Sequence, residues 1–302
     1  MSFPFEYDHG APLAFGGALP EPKDFENSRA VILPVPVDRT TSYVPGTRNG
    51  PREILQASSH MELWDEEVGV DIHNVGLFTL PEMELPFGEL QPLMDEIRRV
   101  AAEILARDKF LVTLGGEHSI TPPLVAAAAA RHPGLHVLQI DAHADLRDCY
   151  MGTPHNHACA MRRSLEHAPV TQVGIRSMST EEAEAAPRLA TRIFYDHSMR
   201  EDPNWVQQVV GSLGDPVYVT IDVDGMDPAI MPATGTPEPG GLTWYETLAL
   251  LRAIFTQRRV VACDVVELSP LPGLMAPNFL CAKLIYKMIV YRFAQNLQRT
   301  AR

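Results

Sequence analysis

Three mostly apolar runs, residues 110–114, 135–140 and 217–221, pass straight into ionisable side chains. The first ends in Gly115-Gly116-Glu117-His118-Ser119 and the second in Asp141-Ala142-His143-Ala144-Asp145. The third ends in Asp222-Val223-Asp224-Gly225-Met226-Asp227-Pro228. Runs without polar alternation predict strands buried on both faces, as in a parallel sheet covered by helices. Ligands of such sheets bind beyond the C-terminal strand ends. Three strands delivering His and Asp to that edge therefore predict a site there. In extended chain, residues i, i+2 and i+4 share a side, so Asp141, His143 and Asp145 are expected to leave the central strand as one cluster. Ionisable groups packed this closely repel or desolvate each other, and a cation is the simplest compensation.

The rest of the chain fits the same architecture. Residues 30–35 predict a first strand, followed by a loop rich in Gly and Pro that runs to Pro51. Pro51 can open a short helix. Leu90, Leu93, Met94, Ile97, Val100, Ala101, Ile104 and Leu105 recur at spacings of three and four, which predicts a crossover helix. Pro122 and Pro123 open an Ala-rich helix that runs to about Arg131. Strands are expected at 170–175, 192–195 and 260–266, the last ending in Glu267. Helices are expected at 202–212, from an N-cap at Thr243 to about 256, and at 276–296. Strand–helix–strand alternation assigns the chain to the α/β class, as a three-layer α/β/α domain with a mainly parallel central sheet. One catalytic domain is expected over residues 29–302. An irregular N-terminal arm over residues 1–28 is expected from Pro4, Pro12, Pro20, Pro22 and Gly16-Gly17.

A net charge of −13 argues against a nucleic-acid partner and suits cationic ligands. The four cysteines show no paired spacing, which predicts reduced thiols and a cytoplasmic location. No apolar run is long enough for a membrane span, and the first ten residues lack the pattern of a signal peptide.

His118, Asp141, His143, Asp145, Asp222 and Asp224 make two imidazoles and four carboxylates. One ion cannot use all six and stay open to substrate, whereas two ions sharing bridging carboxylates can. A mixed N/O set without thiolate favours Mn²⁺ over a structural zinc site. Two ions sharing a water would generate hydroxide near neutral pH. An EF-hand is excluded, because positions 226 and 233 are Met and Ala. No Walker loop, G-x-S-x-G elbow or H-E-x-x-H helix is present.

The three strand-end blocks together resemble the binuclear manganese ureohydrolases, the arginase and agmatinase family, over about residues 30 to 290. Within that family the chain is most similar to agmatinases, supported by residues 42–51, 235–241 and 264–267. The resemblance implies two Mn²⁺ per chain. His118, Asp141, Asp145 and Asp222 would hold one, and His143, Asp141, Asp222 and Asp224 the other, with Asp141 and Asp222 bridging. Asp145 would also orient the attacking hydroxide. Glu267 would hold the substrate guanidinium, and His157 would shuttle a proton to the leaving amine. His155 and His167 are the rivals of His157 in the same region. Asn156 beside His157 is a further substrate-binding candidate. The implied reaction is hydrolysis of agmatine to putrescine and urea, a step of polyamine biosynthesis, by a homotrimer or homohexamer. The loop after the central motif, residues 146–157, lacks the Ser-Gly-Asn-x-His pattern with which family arginases recognise the amino-acid end of arginine. Arg147 keeps guanidino acids such as 4-guanidinobutyrate as alternative substrates. A non-catalytic, ureohydrolase-like binding protein is the alternative of another class.

Overall fold

A computed structural model of the chain describes residues 13–17, 24–84 and 88–300, without the side chains of residues 295–300. In chain order the elements are β1 (Ala30–Val35), α1 (Gly50–Ser58), β2 (Trp64–Asp65), β3 (Val70–Asp71), β4 (Leu77–Thr79), α2 (Leu90–Leu105), β5 (Phe110–Gly115) and α3 (Thr121–Arg131). Then follow β6 (His136–Ile140), α4 (Ala160–Ser164), β7 (Val170–Ile175), α5 (Thr180–Ala185), β8 (Thr191–Tyr195), α6 (Asp196–Glu201), α7 (Trp205–Ser212), β9 (Val217–Asp222), α8 (Trp244–Gln257), β10 (Val260–Val266) and α9 (Ala276–Thr300). Eight strands form one sheet in the order β4-β1-β5-β10-β9-β6-β7-β8, and every pairing in it is parallel. β2 and β3 form a separate antiparallel pair.

This order positions the site. After β5 the chain skips to β6 and builds outward through β7 and β8. It then returns to lay β9 and β10 into the gap between β5 and β6. The four central neighbours are thus β5, β10, β9 and β6, and the crevice where the chain changes direction lies over their C-terminal ends. β1, β5, β7, β9 and β10 are buried along their whole length, which explains their mostly apolar composition.

The sheet separates two cores. On one face Ile32, Val112, Val219 and Cys263 pack with Ile54 of α1, Val210 of α7, Leu251 of α8 and Ile285 of α9. On the other face Val31, Leu111, Val137 and Ala262 meet Ile97 of α2, Leu124 of α3 and Met161 of α4. Each fully buried Leu or Ile contributes roughly 1.5–3 kcal/mol. The architecture is a single three-layer α/β/α domain with a parallel sheet, as expected.

Local signals explain the helix starts. α1 and α3 carry Pro in their first turn, where a missing N–H costs nothing. α8 opens on a capping box in which Thr243 N–H donates to Glu246 (2.8 Å) and Glu246 N–H donates to the Thr243 hydroxyl (3.3 Å). α7 begins at Trp205, later than residue 202. Asp202 accepts a hydrogen bond from Asn204 N–H (2.8 Å), a turn that holds these residues outside the helix. β2, β3, β4, α4, α5 and α6 were not anticipated, because elements of two to six residues carry too little periodicity. Of the expected arm, residues 13–17 and 24–28 hold no helix or strand, and the remainder lies outside the described residues. Phe15 is buried, and its N–H donates to Thr79 Oγ1 (3.0 Å). No helix among the described residues is long and apolar enough to cross a membrane.

Candidate metal centre and active-site cleft

His118 begins a helical turn directly after β5, Asp141 follows β6, and Asp222 ends β9. His118 Nδ1 lies 3.1 Å from Asp141 Oδ2, 3.0 Å from Asp145 Oδ2 and 3.4 Å from Asp222 Oδ2. His143 Nδ1 lies 2.9 Å from Asp224 Oδ2 and 3.7 Å from Asp141 Oδ1. Five of the six side chains thus form two groups with Asp141 common to both: His118, Asp141 and Asp145, and Asp141, His143 and Asp224. Asp222 belongs to neither and approaches the first through His118. The clustering does not come from simple strand alternation. β6 ends at Ile140, His143 makes an isolated bridge to Ser177, and Asp145 takes a left-handed backbone (φ 52°). Glu267 is left-handed as well (φ 66°). Non-glycine residues in this region cost of order 1–3 kcal/mol and cluster at functional sites.

The surrounding backbone leaves little freedom. A Cβ on Gly116 would sit 1.8 Å from the Val37 carbonyl oxygen, so only glycine lets the end of β5 pass the loop after β1. Gln139 Nε2 donates to Asp141 Oδ2 (2.6 Å), and Asp141 Oδ1 accepts from His143 N–H (2.6 Å). Glu117, buried, accepts from Arg39 N–H (2.7 Å), Thr40 N–H (2.7 Å), the Thr40 hydroxyl (2.8 Å) and the Ser119 hydroxyl (2.6 Å). Arg176 donates to the carbonyls of Asp224 (2.7 Å), Glu238 (3.0 Å) and Pro239 (3.0 Å), tying the turn after β9 to the loop 235–241. Sequence reasoning missed Gln139, Glu117 and Arg176; Glu117 and Arg176 act mainly through partners distant in sequence. Glu238, 3.8 Å from His143 Nε2, was also missed as a neighbour of the site.

A cleft of about 240 Å³ opens onto these groups, lined by His118, His143, Asp145, Asp222, His157 and Glu267 among others. Glu267 Oε1 accepts from His118 N–H (2.7 Å) and lies 3.8 Å from His157 Nδ1. Of the three loop histidines, His157 alone lines this cleft. His155 does not line it, and His167 is exposed beyond the end of α4. Asn156 is buried and caps the turn that carries His157. Its Oδ1 accepts from Ala158 N–H (3.0 Å), and its amide donates to the Thr40 carbonyl (3.4 Å). Asn156 thus sits behind the cleft wall and orients His157. Arg147 lines the far wall, over the Tyr150 ring (4.6 Å) and 3.8 Å from Glu182.

The protein groups fit a cation. His118 Nδ1 is buried and makes no hydrogen bond, although three carboxylates converge on it. Burial, then the charge of Asp141, pushes Asp145 up to about 7. Burial, then Asp224 and Asp141, pushes Asp222 well above the usual carboxylate range. Burial opposes protonation of His143, but the charges of Asp224 and Asp141 outweigh it and hold the imidazole up at about 12. The same contest raises His118, where the nearby carboxylates of Asp141, Asp145 and Asp222 win over burial. Protons thus occupy imidazoles that a cation must strip, since metal ligands bind deprotonated. Uptake of a divalent cation at neutral pH is therefore expected to release protons, and affinity is expected to rise with pH. Titration calorimetry in buffers of different ionisation enthalpy reads this directly; a heat independent of buffer would contradict it.

Comparison with known proteins agrees with this geometry. The Arginase family model matches residues 28–290. An N(1)-aminopropylagmatine ureohydrolase of Synechocystis is 38% identical over 275 residues, covering 88% of this chain and 90% of its own length. An agmatinase of Bacillus cereus is 38% identical over 251 residues, covering 82% and 85%. Among solved structures, the agmatine ureohydrolase of Thermoplasma volcanium superposes with a TM-score of 0.84 at 31% identity, covering 91% of this chain and 94% of its own. With the fold, the strand-end donor set and these matches in agreement, the chain belongs to the arginase family.

Proposed function

We propose that this protein is a manganese-dependent ureohydrolase that hydrolyses agmatine to putrescine and urea. It is a hydrolase of C–N bonds in linear amidines. The observation that supports the substrate class is the convergence of two His/Asp groups, Glu267 and His157 on one cleft. His118, Asp141, Asp145 and Asp222 would hold one divalent cation, and His143, Asp141, Asp222 and Asp224 the other. When bound, such a pair supplies Lewis-acid polarisation and water acidified toward neutrality.

The chain's own residues do the rest. Glu267 faces the cleft with a carboxyl that burial, and then the charge of Glu117, push well above its usual range. An entering guanidinium restores a counter-charge there and is held in plane by charge-assisted hydrogen bonds. Burial, and then the charges of His118 and His143, push His157 down to about 4, so its imidazole is neutral at neutral pH. Standing beside Glu267, it can take up a proton and return it to the departing amine nitrogen. Asn156 and Thr40 set its position from behind, Thr40 through a hydrogen bond from His157 N–H (3.0 Å).

Agmatine differs from arginine only in lacking a carboxylate at the far end. Residues 146–157 lack the arginase-like pattern, and Arg147 is stacked on Tyr150 facing Glu182. An unmatched buried polar group costs ~1–3 kcal/mol, so kcat/KM for agmatine should exceed that for arginine by roughly 10- to 100-fold. Urea release with Mn²⁺ over agmatine, N(1)-aminopropylagmatine, 4-guanidinobutyrate and arginine is the test. Faster turnover of arginine overturns the loop argument. A second reading, N(1)-aminopropylagmatine, is favoured by the Synechocystis relative, which matches at the same identity over a longer stretch. Preference for 4-guanidinobutyrate would identify Arg147 as a carboxylate anchor. No urea from any substrate would favour a non-catalytic binding protein.

A further inference from the structure

Behind His118 lies a row of buried polar side chains that neither ion ligation nor substrate contact accounts for. Asp264 sits in β10 at the centre of the sheet, fully buried with Tyr218, Thr220 and Thr121. Thr220 and Asp264 are register partners on β9 and β10, and Tyr218 lies two residues earlier on the same face. Asp264 Oδ2 accepts from the Tyr218 hydroxyl (2.6 Å) and the Thr121 hydroxyl (3.0 Å). Its Oδ1 accepts from the Thr220 hydroxyl (2.6 Å). The same Thr220 oxygen is 2.9 Å from His118 Nε2.

A threonine hydroxyl has one proton and spare lone pairs. Since Thr220 gives its proton to Asp264, its oxygen accepts from His118. In the neutral ring, the form that binds a cation, that puts the imidazole proton on Nε2 and the lone pair on Nδ1. Nδ1 is the orphaned buried atom that faces Asp141, Asp145 and Asp222. A carboxylate in the middle of a sheet carries a large desolvation cost, and an apolar replacement is often neutral or stabilising. Packing alone therefore gives no reason to keep Asp264 there.

We propose that Asp264 and Thr220 form a positioning relay that fixes the tautomer and ring orientation of His118, so that Nδ1 is presented to a divalent cation. The inference rests on the metal-centre reading above. It singles out one of the two groups. Among the described residues His143 shows no matching relay; its Nε2 faces the Glu238 carboxylate at 3.8 Å. Loss of the relay should weaken one ion and spare the other.

The experiment is Mn²⁺ titration of the metal-stripped full chain, read by calorimetry and by the electron-spin signal of a coupled Mn²⁺ pair. Wild type is expected to take two ions. Thr220→Val, which keeps the volume and removes the hydroxyl, should lower the affinity of one ion about 10- to 100-fold, the usual cost of losing such a partner. Coupling between the ions should disappear at limiting metal. Thr220→Ser should restore both. Thr121→Val removes another Asp264 donor outside the relay and controls for loosening of the core. Two equally tight ions in Thr220→Val, or an equal loss in Thr121→Val, overturns the relay. A wild-type chain that takes up no divalent ion overturns the metal-centre reading instead. An independent readout needs no variant. In the Zn²⁺-loaded wild type, ¹⁵N-labelled histidine should show the His118 ring proton on Nε2; a proton on Nδ1 overturns the proposal.

Discussion

Asp222→Ala is expected to reduce urea release to background and to lower bound metal below two ions per chain. Asp222 is the last residue of β9, and its Oδ2 lies 3.4 Å from His118 Nδ1. Its Oδ1 accepts from Asp224 N–H (2.9 Å), which starts the turn carrying the donor nearest His143. Removing the carboxylate therefore deletes one donor and releases another. Asp222→Asn separates the two effects. An amide oxygen still accepts from Asp224 N–H, but the charge that balances a cation is gone. Activity lost in both variants places the defect in ligation. Activity lost in Asp222→Ala alone places it in the turn. Elemental analysis of the active wild type belongs in the same experiment, because a single tightly bound zinc would contradict a pair of Mn²⁺ ions.

His157→Asn is expected to keep both ions and to slow turnover by about 10²- to 10⁴-fold, the share usually supplied by general acid–base catalysis. The asparagine retains the backbone N–H that donates to Thr40, so the loop keeps its anchor and only the titratable ring is lost. His155→Asn and His167→Asn are the controls, since neither residue lines the cleft. A large loss in either control with little change in His157→Asn would show that the shuttle lies elsewhere. A fall in metal content with His157→Asn would show a structural role for the ring. If the loss falls wholly on KM, His157 binds substrate and does not move the proton.

Much of the site was legible before any coordinates. Buried parallel strands must be apolar on both faces, so their runs are conspicuous. Functional groups sit just beyond the strand ends, so His118, Asp141 and Asp222 are adjacent in sequence to the runs that place them. The crossover helix α2 was legible because sixteen residues hold several turns of one apolar face. The far wall of the cleft was less legible, because Arg147, Tyr150 and Glu182 meet there in an arrangement that leaves no periodic trace.

The sequence by itself determined the longer strands and helices and the kinds of side chain delivered to one edge. Those follow from local rules of burial, capping and alternation. Tertiary structure decided which strands stand side by side. It brought Glu267 onto the N–H of His118, 149 positions away in sequence, and set Asp264 behind Thr220. It also selected one histidine of three to face the cleft and left Asn156 behind it. Such choices depend on the path by which β9 and β10 return between β5 and β6. A contact made across that return buries its polar partners against each other, and neither partner's neighbours in the sequence carry any mark of it.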